Sequence, residues 1–487
     1  MIQYRGAHPL LVCCANVYIY VGVGVANEEV IPLSGNDNGM IRGPIRAKFS
    51  RRQFIARALS AGVLAGTGGS LLAACGGDQQ GAASGEVKFI AAEEPVVFQP
   101  AIKRFEKSHP DISVAYNNYP FDQLNSVLQS RLQSKDSSFP CYAVDQPRVP
   151  GFAARGYLTD LSDQASSVKE KVLRSAFEAS SYDGKLYSLP LWTSTQVLYY
   201  NTSLLEKAGV EPPSMDPDKR WTWDETVSAA KETQKAGAKW GLVFNQVNRY
   251  YQLQPLPESL GGGSGLTGPD LLEPDVTNDA WVRAFEWYRS LFSDGLSPRG
   301  VPPEQTAALF ADGELAMFVG LPSDPTLEEA KSKGQLDWGL GAHPYFGGGE
   351  PATPTDSWAL GLNPFSDQQE AAREWLEYLA LEKEGALLGA QNVPVPPTQV
   401  EAFREWIREV SERPTEPKGW DELIKYELDN TAVHRPRSIG YVQFEEVMNT
   451  AFEDIANGAD VRATLQRASD ELDEALEPLR RALEQQG

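Results

Sequence analysis

The feature that most limits what this chain can fold into stands at residues 50–75, because it decides where the folded body begins. Ser50-Arg51-Arg52-Gln53-Phe54-Ile55 is followed by a small, apolar run over residues 56–72 and then by Leu72-Ala73-Ala74-Cys75. An arginine pair ahead of a mildly apolar stretch is read as an address by the twin-arginine export machinery. The run is too short and too rich in Gly and Ser for a stable membrane span. Small residues before the cysteine fit a peptidase site, and the Cys75 sulfur accepts a diacylglycerol, so Cys75 is expected to become the new amino terminus. Residues 76–85 are Gly, Ala, Ser, Gln and Asp, which bury too little apolar surface to fold and suit a flexible tether. The alternative makes Arg51-Arg52 the start of an amphipathic helix and Cys75 a core thiol, and gives the tether no purpose.

Upstream, residues 10–26 are apolar, with Cys13 and Cys14 inside them. A spanning helix there would bury the arginine signal in mid-chain. Residues 1–39 are therefore read as a spurious extension, Met40 as the first residue, and residues 40–74 as the signal peptide.

Residues 1–74 hold seven of the 44 basic and three of the 66 acidic residues. The remaining 413 residues carry a net charge of −26, which repels phosphate backbones and argues against nucleic acid as a partner. That length suffices for two or three domains. After acylation of Cys75, Cys141 has no disulfide partner, so packing alone must hold the fold. His109, His343 and His434 are far apart and show no metal-ligand spacing, so neither a metal nor another cofactor is expected.

Along the body, residues 86–92 read as a buried strand, and Phe98, Ile102 and Phe105 recur at helical spacing. Residues 111–116 are extended again, Leu124, Leu128 and Leu132 mark a second helix, and residues 141–145 a third strand. Such alternation implies an α/β fold with a mainly parallel sheet covered on both faces, in which ligands sit beyond the carboxyl ends of the strands. Asp183-Gly184 is a tight-turn signal, and Thr222-Trp223-Asp224-Glu225 has the form of a capping box. Trp281, Phe285, Tyr288 and Phe292 form one helix face, read as core. Gly263-Ser264-Gly265-Leu266-Thr267-Gly268 has dinucleotide-binding spacing but runs into Pro269-Asp270, so it reads as a loop. Residues 353–362 look extended, 368–388 helical, and 444–483 like a pair of amphipathic helices.

Several stretches then resemble one family. They are Phe105-Glu106-Lys107 to Pro110, Phe152-Ala153-Ala154-Arg155-Gly156-Tyr157-Leu158 and, most specific, Asp183-Gly184-Lys185-Leu186-Tyr187-Ser188-Leu189-Pro190. Tyr199-Tyr200-Asn201, Leu204-Leu205-Glu206-Lys207-Ala208-Gly209, Phe310-Ala311-Asp312-Gly313-Glu314-Leu315-Ala316-Met317 and Arg435-Pro436 with Tyr441 follow in order. Together they resemble the family 1 extracellular solute-binding proteins of sugar-importing ABC transporters, the maltose- and trehalose-binding type. The resemblance implies a two-lobed type II periplasmic-binding-protein fold that closes by a hinge on its ligand, with residues 86–192 and 357–405 in one lobe and 193–356 and 406–487 in the other. It also implies a sugar as ligand, the transmembrane permease subunits as partners, a monomer, and a place on the outer face of the cell membrane, held by the lipid on Cys75.

A pyranose offers apolar C–H faces and a rim of hydroxyls, so its site needs flat aromatic surfaces and planar bidentate groups. Asp145 ends a strand where this family places a carboxylate against ligand hydroxyls; its other role is to cap the next helix. Arg435 matches the arginine that trehalose-type relatives direct into the cleft, the alternative being a surface ion pair. Trp192, Ser194 and Thr195 fall at the first lobe crossing, where Ser194 replaces the family's acidic residue. Trp358 offers a stacking face or a hinge-packing ring. Glu93 and Glu94 follow the first strand and either face the cleft or cap the helix at Val96. Tyr251, beside Tyr250, precedes Gly261-Gly262-Gly263, where relatives carry ligand-facing aromatics. Gly320-Leu321-Pro322 stands where relatives often have a tryptophan. The competing functions are a lipid-anchored glycosidase, which needs two carboxylates at a fixed separation, and a solute sensor for a membrane receptor. No catalytic residue is nominated.

Overall fold

A computed structural model describes residues 84–485. Cys75, Arg51, Arg52, the segment 1–39 and most of the tether lie outside the described residues.

The first sheet runs Ile112–Asn118, Gly85–Ala91, Cys141–Asp145, Trp358–Leu362, Leu189–Pro190. Its first three strands are parallel, with Gly85 opposite Ile112 and Phe89 opposite Cys141. Trp358–Leu362 returns antiparallel and sets Trp358 directly opposite Asp145. Helix Pro95–Ser108 opens on a proline, whose missing N–H costs nothing in the first turn, and buries Val97, Phe98, Ala101, Ile102 and Phe105. In helix Phe121–Gln133, Leu124, Leu128 and Leu132 are wholly buried. Each such side chain contributes about 1.5–3 kcal/mol by leaving water.

The second sheet runs Trp338–Gly341, Val197–Asn201, Leu315–Gly320, Trp240–Phe244. Its strands are apolar at nearly every position because both faces are covered. Tyr199 and Phe318 join the core that continues into the first lobe, while Leu198, Leu242, Met317 and Val319 point to the opposite core. That second core takes in the aromatic face of helix Asp279–Ser293, where Phe285 stacks on Phe452 with ring centres 4.5 Å apart.

The chain passes from the first sheet to the second through residues 191–196 and returns between Thr353–Pro354 and Trp358–Leu362. Ala432–Val433 lies parallel to Thr353–Pro354, so a third strand of backbone accompanies the return. This two-lobed α/β architecture is the one the resemblance implies; the alternation alone predicts mainly parallel sheets, whereas both sheets are mixed, with Trp358–Leu362 and Val197–Asn201 each antiparallel to both neighbours.

Local signals acted as their chemistry requires. Asp183 (φ 49°) and Gly184 (φ 72°) form the turn between Ser181–Tyr182 and Lys185–Leu186. The Thr222 hydroxyl accepts from the Glu225 N–H, and the Glu225 carboxylate accepts from the Thr222 N–H at 2.7 Å. The Gly263–Gly268 segment leads into a three-residue turn, Pro269–Leu271, and into no helix able to hold a pyrophosphate. The helix expected over 368–388 is two helices, Gln369–Leu381 and Lys383–Ala390, because Glu382 is extended. The break lets Gly385 approach the Tyr378 carbonyl so closely that a Cβ there would stand 2.0 Å from its oxygen. The extended run expected over 353–362 is interrupted at Asp356, which sits at φ 77°.

Among the described residues no helix is long and apolar enough to cross a membrane, and no group of His, Cys, Asp or Glu is placed to hold a metal. Cys141 is a buried free thiol.

Candidate functional site

A cavity of about 460 Å³ opens between the lobes, beyond the carboxyl ends of strands Gly85–Ala91 and Cys141–Asp145. That is where a sheet with parallel strands leaves space for a ligand, and the volume suits a small molecule.

Its floor is an ion pair. Arg435 donates from Nη1 and Nη2 to the two Asp145 oxygens, at 2.8 and 2.7 Å. Asp145 is only 7% exposed and Arg435 5%. Burial pushes the Asp145 carboxyl upward, and the guanidinium opposes it. Burial also works against the charge on Arg435, but Asp145, Tyr441 and Asp356 hold it well above the ordinary arginine range, so it remains protonated.

Asp356 organises the wall beside this pair. Its backbone is in the left-handed region, which aspartate enters more readily than most residues. One carboxylate oxygen accepts from the Arg435 N–H at 2.8 Å, and the other meets His434 Nδ1 at 2.6 Å. Burial would raise this carboxyl, yet His434 and Arg435 together hold it below the usual carboxylate range. The Asp356 carbonyl accepts from the Ser194 hydroxyl at 2.5 Å, and Ser194 also meets the Tyr251 hydroxyl at 2.7 Å. Burial pushes Tyr251 up to about 12, so it stays a neutral hydroxyl. The Arg435 guanidinium lies over the Tyr251 ring at 5.3 Å.

Aromatic faces complete the enclosure. Trp358 is 9% exposed and meets Phe121 edge-on at 5.8 Å. Phe121 stands at the mouth, 43% exposed, with the Arg249 guanidinium 5.7 Å from its ring. Trp192 stacks on Phe98 at 5.7 Å, so its ring is a packed wall and its Nε1 a buried donor without a partner. Glu93 Oε2, Asn125 Oδ1, Arg148 Nε and Arg435 Nε are likewise buried without a hydrogen-bond partner, though Arg435 Nε stands 3.9 Å from Asp356. Burial pushes the Glu93 carboxyl up to about 7. A carboxylate of helix Tyr441–Ala456, Glu445, pairs with Arg148 and accepts from the Tyr441 hydroxyl at 2.9 Å.

Seven of the nine residues expected at a sugar site line this cavity: Asp145, Arg435, Trp358, Trp192, Ser194, Glu93 and Tyr251. Two do not. Thr195 is wholly buried, because side chains alternate along an extended crossing and Ser194 takes the face toward the cleft. Glu94 is exposed at the N-cap of helix Pro95–Ser108, and its side chain makes no capping hydrogen bond. Asp145 and Arg435 face the cleft engaged with each other.

Sequence reasoning missed Asp356, Arg148, Asn125, Phe121, Gln246, Arg249, Glu445 and Asn449, all of which line the cavity. Arg148 carried a usable signal, standing three residues past the end of a parallel strand. Those on helix Tyr441–Ala456 carried none, since that helix reads as an ordinary amphipathic element.

The family model of bacterial extracellular solute-binding proteins matches residues 91–386. A Brucella abortus protein named as a candidate binding protein is 27% identical over 403 residues, covering 75% of this chain and 91% of that one. The mannitol-binding protein of Pseudomonas aeruginosa is 23% identical over 67% of this chain and 76% of its own length. Among solved structures, an ABC substrate-binding protein from Listeria monocytogenes in complex with cycloalternan superposes with a TM-score of 0.70 at 23% identity, covering 80% of this chain and 99% of that one. The match spans more than half of the sequence and both lobes of the fold, and on it the chain belongs to the bacterial extracellular solute-binding protein family.

Proposed function

We propose that this protein is the substrate-binding component of an ABC importer, and that it captures a sugar, mono- or oligosaccharide, by closure of its lobes and delivers it to a membrane permease. The observation that carries this reading is the chemistry of the cleft. Indole and phenyl surfaces from Trp358 and Phe121 stand beside buried polar atoms that make no hydrogen bond, Trp192 Nε1, Asn125 Oδ1 and Arg148 Nε. An unpartnered buried polar group costs about 1–3 kcal/mol. A polyhydroxylated ring removes that cost at several positions while its C–H faces cover the aromatic surfaces. Relatives named for mannitol and for maltodextrin support the ligand class.

The ligand favours the closed state because only there do both lobes touch it. The lobes are taken as residues 86–192 with 357–405 and residues 193–356 with 406–487. In this reading the protein works as a monomer, exported and held on the outer face of the membrane by a lipid on Cys75. In this reading it binds without catalysis, which the engagement of Asp145 by Arg435 and of Asp356 by His434 supports.

A thermal-shift screen of the soluble form against mono- and disaccharides tests this. A ligand at one hundred times its Kd adds about 2.7 kcal/mol of stability, a clear rise in Tm. No shift with any sugar overturns the ligand class, and release of reducing sugar from an oligosaccharide overturns the reading as a binder.

A further inference from the structure

We propose that Glu93 makes the cleft a charge filter, which holds a sugar bearing a basic nitrogen most tightly, a neutral sugar less tightly, and rejects sugar acids and sugar phosphates. This rests on the reading of the cleft as a sugar site and adds the charge class of the sugar.

Glu93 follows strand Gly85–Ala91, at the edge where ligands are expected, and lines the cavity. Its Oε2 is buried and accepts no hydrogen bond, and no basic side chain among the described residues pairs with it. The nearby Tyr116 hydroxyl does not help, because it donates to the Glu93 carbonyl at 2.5 Å. Burial pushes this carboxyl up to about 7, although the backbone N–H groups of Ala92 and Glu93 favour its charge, so the ionised form is only partly compensated.

The rest of the lining is biased the same way, with five carboxylate side chains against three guanidinium groups. Two of those guanidiniums are already engaged by carboxylates, Arg435 by Asp145 and Arg148 by Glu445. The third, Arg249, lies over Phe121. A phosphate or carboxylate on the ligand would compete with these internal pairs and set a negative charge beside a carboxyl that has no cationic partner. An ammonium group does the reverse, supplying the counter-charge that Glu93 lacks. Rejection built from an unpaired like charge is a common route to specificity.

Titration calorimetry with glucosamine, glucose and glucuronic acid, and with the β-1,4 disaccharides of the same three units, tests the order at about pH 7, where the amino sugar is mainly an ammonium, glucose is neutral and the acid is a carboxylate. Wild type is expected to bind amine over neutral over acid by about tenfold per step. Glu93→Gln, nearly the same shape without the charge, is expected to compress the series by weakening the amine and strengthening the acid. A merely structural role would weaken all three equally and overturn the proposal, as would a wild-type preference for the acid or none at all. Binding of these sugars without a charge order leaves the sugar reading standing and removes only the filter. If none of the six binds to wild type, the filter, whose order these sugars must show, is overturned, while the sugar reading stands or falls on the wider thermal-shift screen.

Discussion

Asp145 and Arg435, 290 positions apart in the chain, meet through two hydrogen bonds of 2.8 and 2.7 Å at the bottom of the cleft. Asp145 ends a central strand of the first sheet, and Arg435 follows the short strand Ala432–Val433 that accompanies the return crossing. The pair therefore ties one lobe to the segment that joins them. A buried pair of this kind is costly to break, because the survivor is left charged and unsolvated.

Arg435→Met should lower the unfolding free energy by about 3–5 kcal/mol, with Asp145 left unpaired in the cleft. Adding Asp145→Leu should restore much of the loss, since an apolar pair of similar volume needs no counter-charge. Urea unfolding of the single and double variants checks both steps. A double variant no more stable than the single one would mean that the arginine acts through its other contacts, with Asp356 and the Tyr251 ring.

Glu416 gives the clearest pH dependence. It is 8% exposed, and neither carboxylate oxygen has a hydrogen-bond partner. Burial and the neighbouring Glu328 push it from 4.5 up to about 8. The folded chain thus holds this proton more tightly than the unfolded chain, and binds more protons between about pH 4.5 and about pH 8. Stability contributed here is present below that window and is lost as pH rises through it. Glu416→Gln should therefore gain on wild type with rising pH, by on the order of 1–3 kcal/mol at pH 9. Tm measured at pH 5 and pH 9 checks this; an equal difference at both would show that Glu416 is ionised throughout.

Phe121 separates ligand contact from folding. At 43% exposure it contributes little to the core, yet it meets Trp358 edge-on at the cleft mouth. Phe121→Ala should cost less than about 1 kcal/mol of stability, while affinity for a bound sugar falls about tenfold through the lost face. Trp358→Ala should reduce both, because that ring is nine-tenths buried at the start of an interior strand. Melting curves with and without ligand distinguish the two variants.

How much of this was legible depends on how local each signal is. Leu124, Leu128 and Leu132 announce a helix because 3.6-residue periodicity is written in consecutive sequence, and Thr222 with Glu225 announces a cap for the same reason. The ends of parallel strands are nearly as readable, which is why Glu93 and Asp145 were found. Ser194 and Thr195 show the limit: in an extended crossing one of two neighbours faces the cleft, and without a register the sequence does not say which. Asp356 shows another. Its left-handed backbone accompanies contacts with His434 and Arg435, 78 and 79 positions away, and no composition or spacing around it records them. The break at Glu382 and the π-helical turn Glu427–Thr431, which opens on the buried Arg220–Glu427 pair, have no local sequence signal either.

Arg148 and Glu445 test whether lobe closure is held by the protein itself. Arg148 follows the strand that carries Asp145, and Glu445 lies on helix Tyr441–Ala456, which packs in the second core. Their ion pair spans the cleft with side chains 9% and 15% exposed, so solvent screens it weakly. A contact present only when the lobes are together biases the equilibrium toward the closed form. Glu445→Gln keeps the shape and the Tyr441 contact but removes the charge, and should open the ligand-free protein, read as a larger radius of gyration in solution scattering. Ligand affinity should fall about tenfold, because binding must then supply closure that the ion pair supplied before. Arg148→Met should give the same expansion, and combining the two changes should add little to either. Full additivity would show that the two side chains act on closure separately, and the cleft would then owe its closed geometry to the crossings alone.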